Sequence, residues 1–310
     1  MKKIIITGSG GLLGLNLLRI LNTSKYKITA IDKKSKNLSL AKLLNPNIET
    51  KVLDLSEKGE WKNLFKGADC VIQLQAQISS PIKEPYIRNN IESVKNILEA
   101  CEKFKVPNLI HLSSSVVSSI SRDDYTKTKT IGEELVKSSN CNYTILRPPL
   151  MYGCFDIKHL DHIIKTFDKS LFLPMPGSGK YIRQPLYVKD MTKIILKLIE
   201  RKPKNKIYNI IGKEKIYFID LLKMIRNAKN KNTLFIKIPI FLFTLMLRVY
   251  SSISGKKTLN YNQLKALSAG DIFPVDNWEK EFGIKYTKFN EGVSEMINSR
   301  DYTHTSLMEK

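Results

Sequence analysis

The chain has 310 residues, enough to bury a large core as one large domain or two unequal ones. Its 42% hydrophobic and 26% charged residues are ordinary for a globular protein and exclude a disordered chain. A net charge of +22 rests on 51 basic residues, only nine of them arginine, spread along the sequence without aromatic interleaving. That pattern describes a lysine-coated surface, excludes a nucleic-acid-binding stripe, and favours anionic small substrates by long-range attraction.

In chain order, the opening Met-Lys-Lys precedes an apolar run of only Ile4, Ile5 and Ile6, too short for the core of a secretory signal. It reads as a first strand over residues 4–7. Gly8, Gly11 and Gly14 follow in GxxGxxG spacing, between that strand and a helix that begins at Leu12 and Leu13. Gly8 permits a tight turn, Gly11 lets backbone approach a pyrophosphate, and Gly14 lets the helix pack closely. The helix N-terminus then offers unpaired N–H groups to phosphates.

Short apolar runs rich in Ile, Val and Leu recur at 28–32, 50–53, 70–74, 109–112 and 144–146, as buried strands require. Between them lie amphipathic segments such as 91–104, where Ile91, Val94, Ile97, Leu98, Cys101 and Phe104 repeat at helical spacing. Alternating strands and helices predict an α/β fold: a doubly wound parallel sheet of the Rossmann kind over residues 1–150, completed by about 185–211. Residues 151–184 and 212–310, broken by prolines and glycines, are expected to form a smaller substrate-binding lid.

Asp32 closes the second strand, 18 residues beyond Gly14, where a carboxylate accepts hydrogen bonds from an adenosine ribose and repels a 2′-phosphate. NAD is therefore favoured over NADP, although Lys33 and Lys34 stand ready for a phosphate. Asp54 and Leu55, after the third strand, are candidates for contact with the adenine. Residues 234–247 are the longest apolar stretch, interrupted by Lys237 and Pro239. They are too short to span a bilayer and read as a buried helix, with membrane-surface contact as the lesser alternative.

Tyr125 and Lys129 stand at i and i+4, so a helix puts both on one face. An ammonium beside a phenol favours the phenolate and lowers its pKa, which makes Tyr125 an acid or base near neutral pH. Ser113, Ser114 and Ser115 stand at a strand's end nearby. The four cysteines, Cys70, Cys101, Cys141 and Cys154, fit no zinc spacing and read as reduced packing residues. His111, His159, His162 and His304 supply no third ligand, so no metal site is expected.

Together these motifs resemble the extended short-chain dehydrogenase/reductase family, the NAD-dependent epimerase/dehydratases, over nearly the whole chain. The resemblance adds Leu146-Arg147-Pro148 with Met151-Tyr152-Gly153, then Gly177-Ser178-Gly179 leading to Arg183 and Tyr187-Val188-Lys189-Asp190, and finally Tyr208-Asn209-Ile210. It implies Tyr125 as acid/base, Lys129 as its modulator and a holder of the nicotinamide ribose, and Ser115 as the hydroxyl that meets the reacting sugar oxygen. It also implies Asn90 as an organiser of the site, Leu74, Gln75, Ala76 and Pro148 along the cofactor, and Arg183 on the diphosphate of a nucleotide-linked sugar. A cytoplasmic homodimer, formed through the helices at 91–104 and 125–137, is the assembly it implies.

The sequence departs from the family pattern in three places. Gln75 replaces a small residue beside the cofactor. Ser115 and Tyr125 are only ten residues apart, which leaves open which of Ser113, Ser114, Ser115 or Ser118 faces substrate. Val116-Val117 stands where 4,6-dehydratases carry Asp-Glu, so dehydration is disfavoured against 4-epimerisation or 4-keto reduction. Two alternatives stay open. One is a non-catalytic nucleotide-binding subunit like the accessory subunit of respiratory complex I, which shares the short loop and the pattern Gln184-Pro185-Leu186-Tyr187-Val188. The other is a dehydrogenase of a hydrophobic alcohol.

Overall fold

A computed structural model describes residues 1–120, 123–157, 160–254, 264 and 270–299. The first part of the chain alternates strand and helix: β1 (Lys2–Thr7), α1 (Leu12–Ile20), β2 (Tyr26–Asp32), α2 (Ser35–Leu44), β3 (Glu49–Val52) and β4 (Cys70–Gln73). A short helix α3 (Glu84–Ile87) runs through a π-helical turn at Arg88–Glu92 into α4 (Ser93–Lys103). Then come β5 (Leu109–Leu112), α5 (Asp124–Lys137) and β6 (Tyr143–Arg147). The Asp123 carboxylate starts α5 by accepting from the Thr126 N–H at 2.8 Å, leaving Tyr125 in the first turn.

The second part carries β7 (Met151–Tyr152), α6 (Leu160–Lys169), β8 (Phe172–Pro176), β9 (Ile182–Arg183), β10 (Leu186–Tyr187), α7 (Val188–Glu200) and β11 (Lys206–Asn209). After these follow β12 (Ile216–Tyr217), α8 (Phe218–Ala228), β13 (Leu234–Ile238) and α9 (Ile240–Ser254), with short helices at Trp278–Phe282 and Phe289–Asn298.

Seven strands form one sheet in the order β11-β6-β5-β4-β1-β2-β3, and every neighbouring pair is parallel. The order reverses between β1 and β4, the crevice where open α/β sheets bind ligands. The expected return of the 207–211 segment to this sheet is met by β11, which pairs with β6. Both faces are covered. Ile4, Ile6, Ile28 and Ile72 join one core with α1, α7 and Trp278, while Ile5, Ile31, Val71 and Leu109 join the other with α4. Burial on both sides is why these strands read as unbroken apolar runs.

The two sheet edges differ. At one, the 276–278 segment closes on β11: Asn209 N–H donates to the Asp276 carboxylate at 2.7 Å, and Asp276 N–H returns a bond to the Asn209 carbonyl. At the other, β3 carries Glu49 and Lys51, ion-paired at 3.0 Å. All four cysteines are free and buried.

The reading of residues 234–247 as a buried helix is corrected. Residues 234–238 pair as β13 with β8, turning Phe235 toward the core while Leu234 and Ile236 face out. Pro239 lacks the N–H to continue a strand and suits a helix start. In α9, the only buried residue is Thr244. No helix among the described residues is long and apolar enough to cross a membrane.

Candidate active site

The turn between β1 and α1 is shaped by glycine. Gly8 has φ +66, and a Cβ there would lie 2.4 Å from the Gln75 backbone nitrogen, so the chain after β4 passes directly against it. A Cβ on Gly14 would lie 2.4 Å from the Ser9 carbonyl oxygen, which is the close helix packing expected of it. At Gly11 a Cβ would meet only the Gly8 carbonyl oxygen, at 3.3 Å, and would otherwise fill open space over the turn. No side chain caps α1, so the N–H groups of its first turn remain for an anion.

Asp32 is tied to this turn. Its carboxylate accepts from Gly10 N–H at 2.9 Å and from Lys34 N–H at 3.0 Å, one bond to each oxygen, which leaves lone pairs for a ribose. The Gly10 contact was missed from the sequence. Lys33 reaches Asn89 at 2.8 Å, toward the π-helical turn. Asp54 pairs with Arg88 at 3.0 Å and accepts from Ser56, while Leu55 is buried in the second core. Burial raises the Asp54 pKa, but Ser56, Lys33 and Arg88 outweigh it and hold the carboxyl below its usual value.

Gln75 folds back. Its amide bridges Thr7 Oγ1 at 2.5 Å and Ser93 Oγ at 3.2 Å, joining β1 to α4. Leu74 is buried and Ala76 half-buried beside it. Asn90 is buried in the π-helical turn. It accepts from Gln77 N–H at 2.8 Å and donates to the Gln77 carbonyl at 3.1 Å and to Thr128 Oγ1 at 3.0 Å. One side chain thereby fixes the loop after β4 against the helix that carries Tyr125. The Pro148 carbonyl likewise accepts from Ser115 N–H at 2.8 Å, holding the serine segment against the end of β6.

Tyr125 is half-buried by exposed area, yet its hydroxyl lies in dense surroundings. Burial raises the phenol above its usual pKa, and the Ser114 hydroxyl beside it opposes this only in part. The lowering expected from Lys129 is absent, because the ammonium turns away and donates to the Leu112 carbonyl at the end of β5, at 2.8 Å. Burial pushes Lys129 down to about 8, against the nearby Glu133 carboxylate. Ser114 is therefore the serine at the phenol, while Ser113 donates to Glu133 at 2.5 Å.

Glu133 also carries a paired bond with Arg147. Burial keeps His111 uncharged, its Nδ1 2.8 Å from Gln73. This cluster of Glu133, Arg147 and Ser113 had no local signal in sequence, beyond Glu133 lying one helical turn past Lys129.

Arg183 lies on β9, with its guanidinium stacked 4.8 Å over Tyr181 and donating to the Ile182 carbonyl at 3.0 Å. Burial lowers its pKa, so the charged form is short of solvation, while Asp271 opposes the shift. Asp271 also accepts a bond from Ser119, which links Arg183 to the segment that follows the three serines. Gln184, named above only as part of the pattern shared with the complex I accessory subunit, clamps Phe273 with both ends of its amide. His162 stands on α6; His159 and His304 lie outside the described residues, among which no metal-binding cluster occurs.

The model of the NAD dependent epimerase/dehydratase family matches residues 4–210. The spore coat polysaccharide biosynthesis protein SpsK of Bacillus subtilis is 24% identical over 216 residues, 66% of this chain and 71% of its own. The N-acetyl-alpha-D-glucosaminyl-diphospho-ditrans,octacis-undecaprenol 4-epimerase of Escherichia coli O157:H7 is 23% identical over 312 residues, covering 87% of this chain and 90% of its own. Among solved structures, UDP-glucuronic acid 4-epimerase from Bacillus cereus in complex with NAD superimposes with a TM-score of 0.74 at 23% identity, covering 97% of this chain and 96% of that one.

Proposed function

Because this chain belongs to the NAD-dependent epimerase/dehydratase family, we propose that it is an NAD-dependent enzyme moving a hydride at C4 of a diphosphate-linked sugar. One observation carries the reading. The Tyr125 phenol, with the Ser114 hydroxyl at its side, sits one helical turn before a buried lysine anchored to the end of β5. Solved relatives bind NAD, and the glycine turn, the uncapped α1 and Asp32 suit the same group here. When bound, NAD supplies a reversible hydride acceptor.

The chain's own residues do the rest. Tyr125 takes the proton of the sugar hydroxyl through its phenol oxygen and returns it. Burial raises its pKa, so the phenol must give up its own proton to solvent before it takes the sugar's, and the protonated form then suits the returning step. Ser114 or Ser115 orients the sugar oxygen. Lys129, with a pKa of about 8, is mostly charged at pH 7 and holds the nicotinamide ribose from its anchor on the Leu112 carbonyl. Arg183 binds the diphosphate in a planar fork, for which a poorly solvated guanidinium is suited. Two carriers of that diphosphate are to be tested, a nucleoside as in the B. cereus relative and a polyprenol as in the E. coli one.

The test is turnover of the purified protein on UDP-sugars and on a polyprenyl-diphosphate sugar, with Tyr125→Phe as control. Interconversion of C4 epimers with bound NAD, lowered about 10²–10⁴-fold in the variant, is the expected result. NAD(P)H consumption on a keto-sugar alone would make the enzyme a reductase. Bound dinucleotide without any turnover that depends on Tyr125 would refute the proposal in favour of a nucleotide-binding subunit.

A further inference from the structure

Helix α9 is inverted for a water-soluble surface. Its one buried residue is the polar Thr244, whose hydroxyl is spent on the Ile240 carbonyl at 2.8 Å. Phe241, Leu242, Leu245, Met246, Val249, Tyr250 and Ile253 are each 40% exposed or more. At 100° per residue these seven fall on one continuous half of the helix, opposite Ile240, Phe243, Thr244 and Leu247. Strand β13, immediately before it, adds exposed Leu234 and Ile236. An apolar surface of this extent marks an interaction site.

The charge around the helix says what covers it. Residues 221–270 contain nine basic residues and no acidic one. Lys223, Lys229 and Lys231 are partly balanced by Asp220 and Asp168. Lys237 and Arg248 are exposed and make no ion pair among the described residues. A second copy docked through the same face would bring two such basic segments together. An anionic lipid surface instead answers both features, apolar side chains entering the acyl boundary and lysines remaining at the headgroups.

We propose that α9 docks this protein peripherally on an anionic lipid bilayer, lying in the interface plane. Fifteen residues give a helix of about 22 Å, shorter than the hydrocarbon core, so the helix lies on the membrane and does not cross it. The docked face is also tied to the segment that leads to Arg183. Gly177 N–H donates to the Ile238 carbonyl at 2.7 Å, just before α9, and six residues on the same chain carries Arg183. Docking stands independently of the reaction assigned above.

The full-length protein is to be floated with vesicles of phosphatidylcholine containing about one-third phosphatidylglycerol, and with pure phosphatidylcholine vesicles. Preferential binding to the anionic vesicles is expected, reduced at least about 100-fold by the double variant Leu245→Glu/Val249→Glu. Both side chains already face outward, so the variant's melting temperature and dinucleotide affinity should match the parent and show that it is folded. Three results would overturn the proposal: equal binding to both vesicle types, binding that the double variant leaves unchanged, or no vesicle binding with a dimer that the double variant splits, which would assign the face to a second copy.

Discussion

Replacing Lys129 by methionine is expected to stabilise the protein at pH 7 while removing its activity. Burial lowers the Lys129 pKa from 10.5 to about 8, with Glu133 opposing the shift. A tenfold change in proton affinity is worth about 1.4 kcal/mol, so below pH 8 the folded chain bears a cost of roughly 3 kcal/mol that the unfolded chain escapes. Because the folded pKa is depressed, the unfolded chain holds more protons between about pH 8 and 10.5, and stability from this group rises across that window.

Against the cost stands the bond from Lys129 to the Leu112 carbonyl at 2.8 Å. Its loss takes back about 1–2 kcal/mol. Methionine preserves the length of the side chain without the charge. The variant should then be more stable than the parent by about 1–2 kcal/mol at pH 7 and less stable by about 1 kcal/mol near pH 10.5. Urea unfolding of both proteins at several pH values measures this difference, and the other titrating lysines cancel in it. A stability difference that stays constant to within about 1 kcal/mol from pH 7 to 10.5 would refute the reasoning.

Other outcomes can be checked alongside. Gly8→Ala is expected to cost about 2 kcal/mol or more, because φ is +66 and the new Cβ would lie 2.4 Å from the Gln75 nitrogen; dinucleotide affinity, read by calorimetry, should fall with it. Arg183→Ala should raise KM for a diphosphate-linked sugar at least about tenfold and leave NAD binding unchanged. Asn90→Ala removes two hydrogen bonds to the loop after β4 and one to α5; kcat should fall more than KM rises, with a loss of about 2–3 kcal/mol in unfolding free energy.

The sheet was readable in the sequence because each of its strands carries its own signal. Ile4-Ile5-Ile6 and Val71-Ile72 are buried on both faces, and each run is bounded by turns. The glycine turn was readable for the same local reason. Contacts across the chain were not. Glu133 and Arg147 meet between a helix and a strand, and Gln184 reaches Phe273 across 89 residues. The direction of Lys129 was also hidden, since spacing places two side chains on one helix face without saying which acceptor the ammonium chooses. In α9 the apolar pattern is the same whether the face turns in or out, and only the packing decided it.

The two edges of the main sheet limit how copies of this chain can meet. One rim is already closed by the 276–278 segment on β11, and the other presents the charged pair of β3. Both devices discourage the strand addition that lets a sheet grow from one molecule into the next. Edge-to-edge aggregation is thereby disfavoured at both rims, by a covering segment at one and by charge at the other.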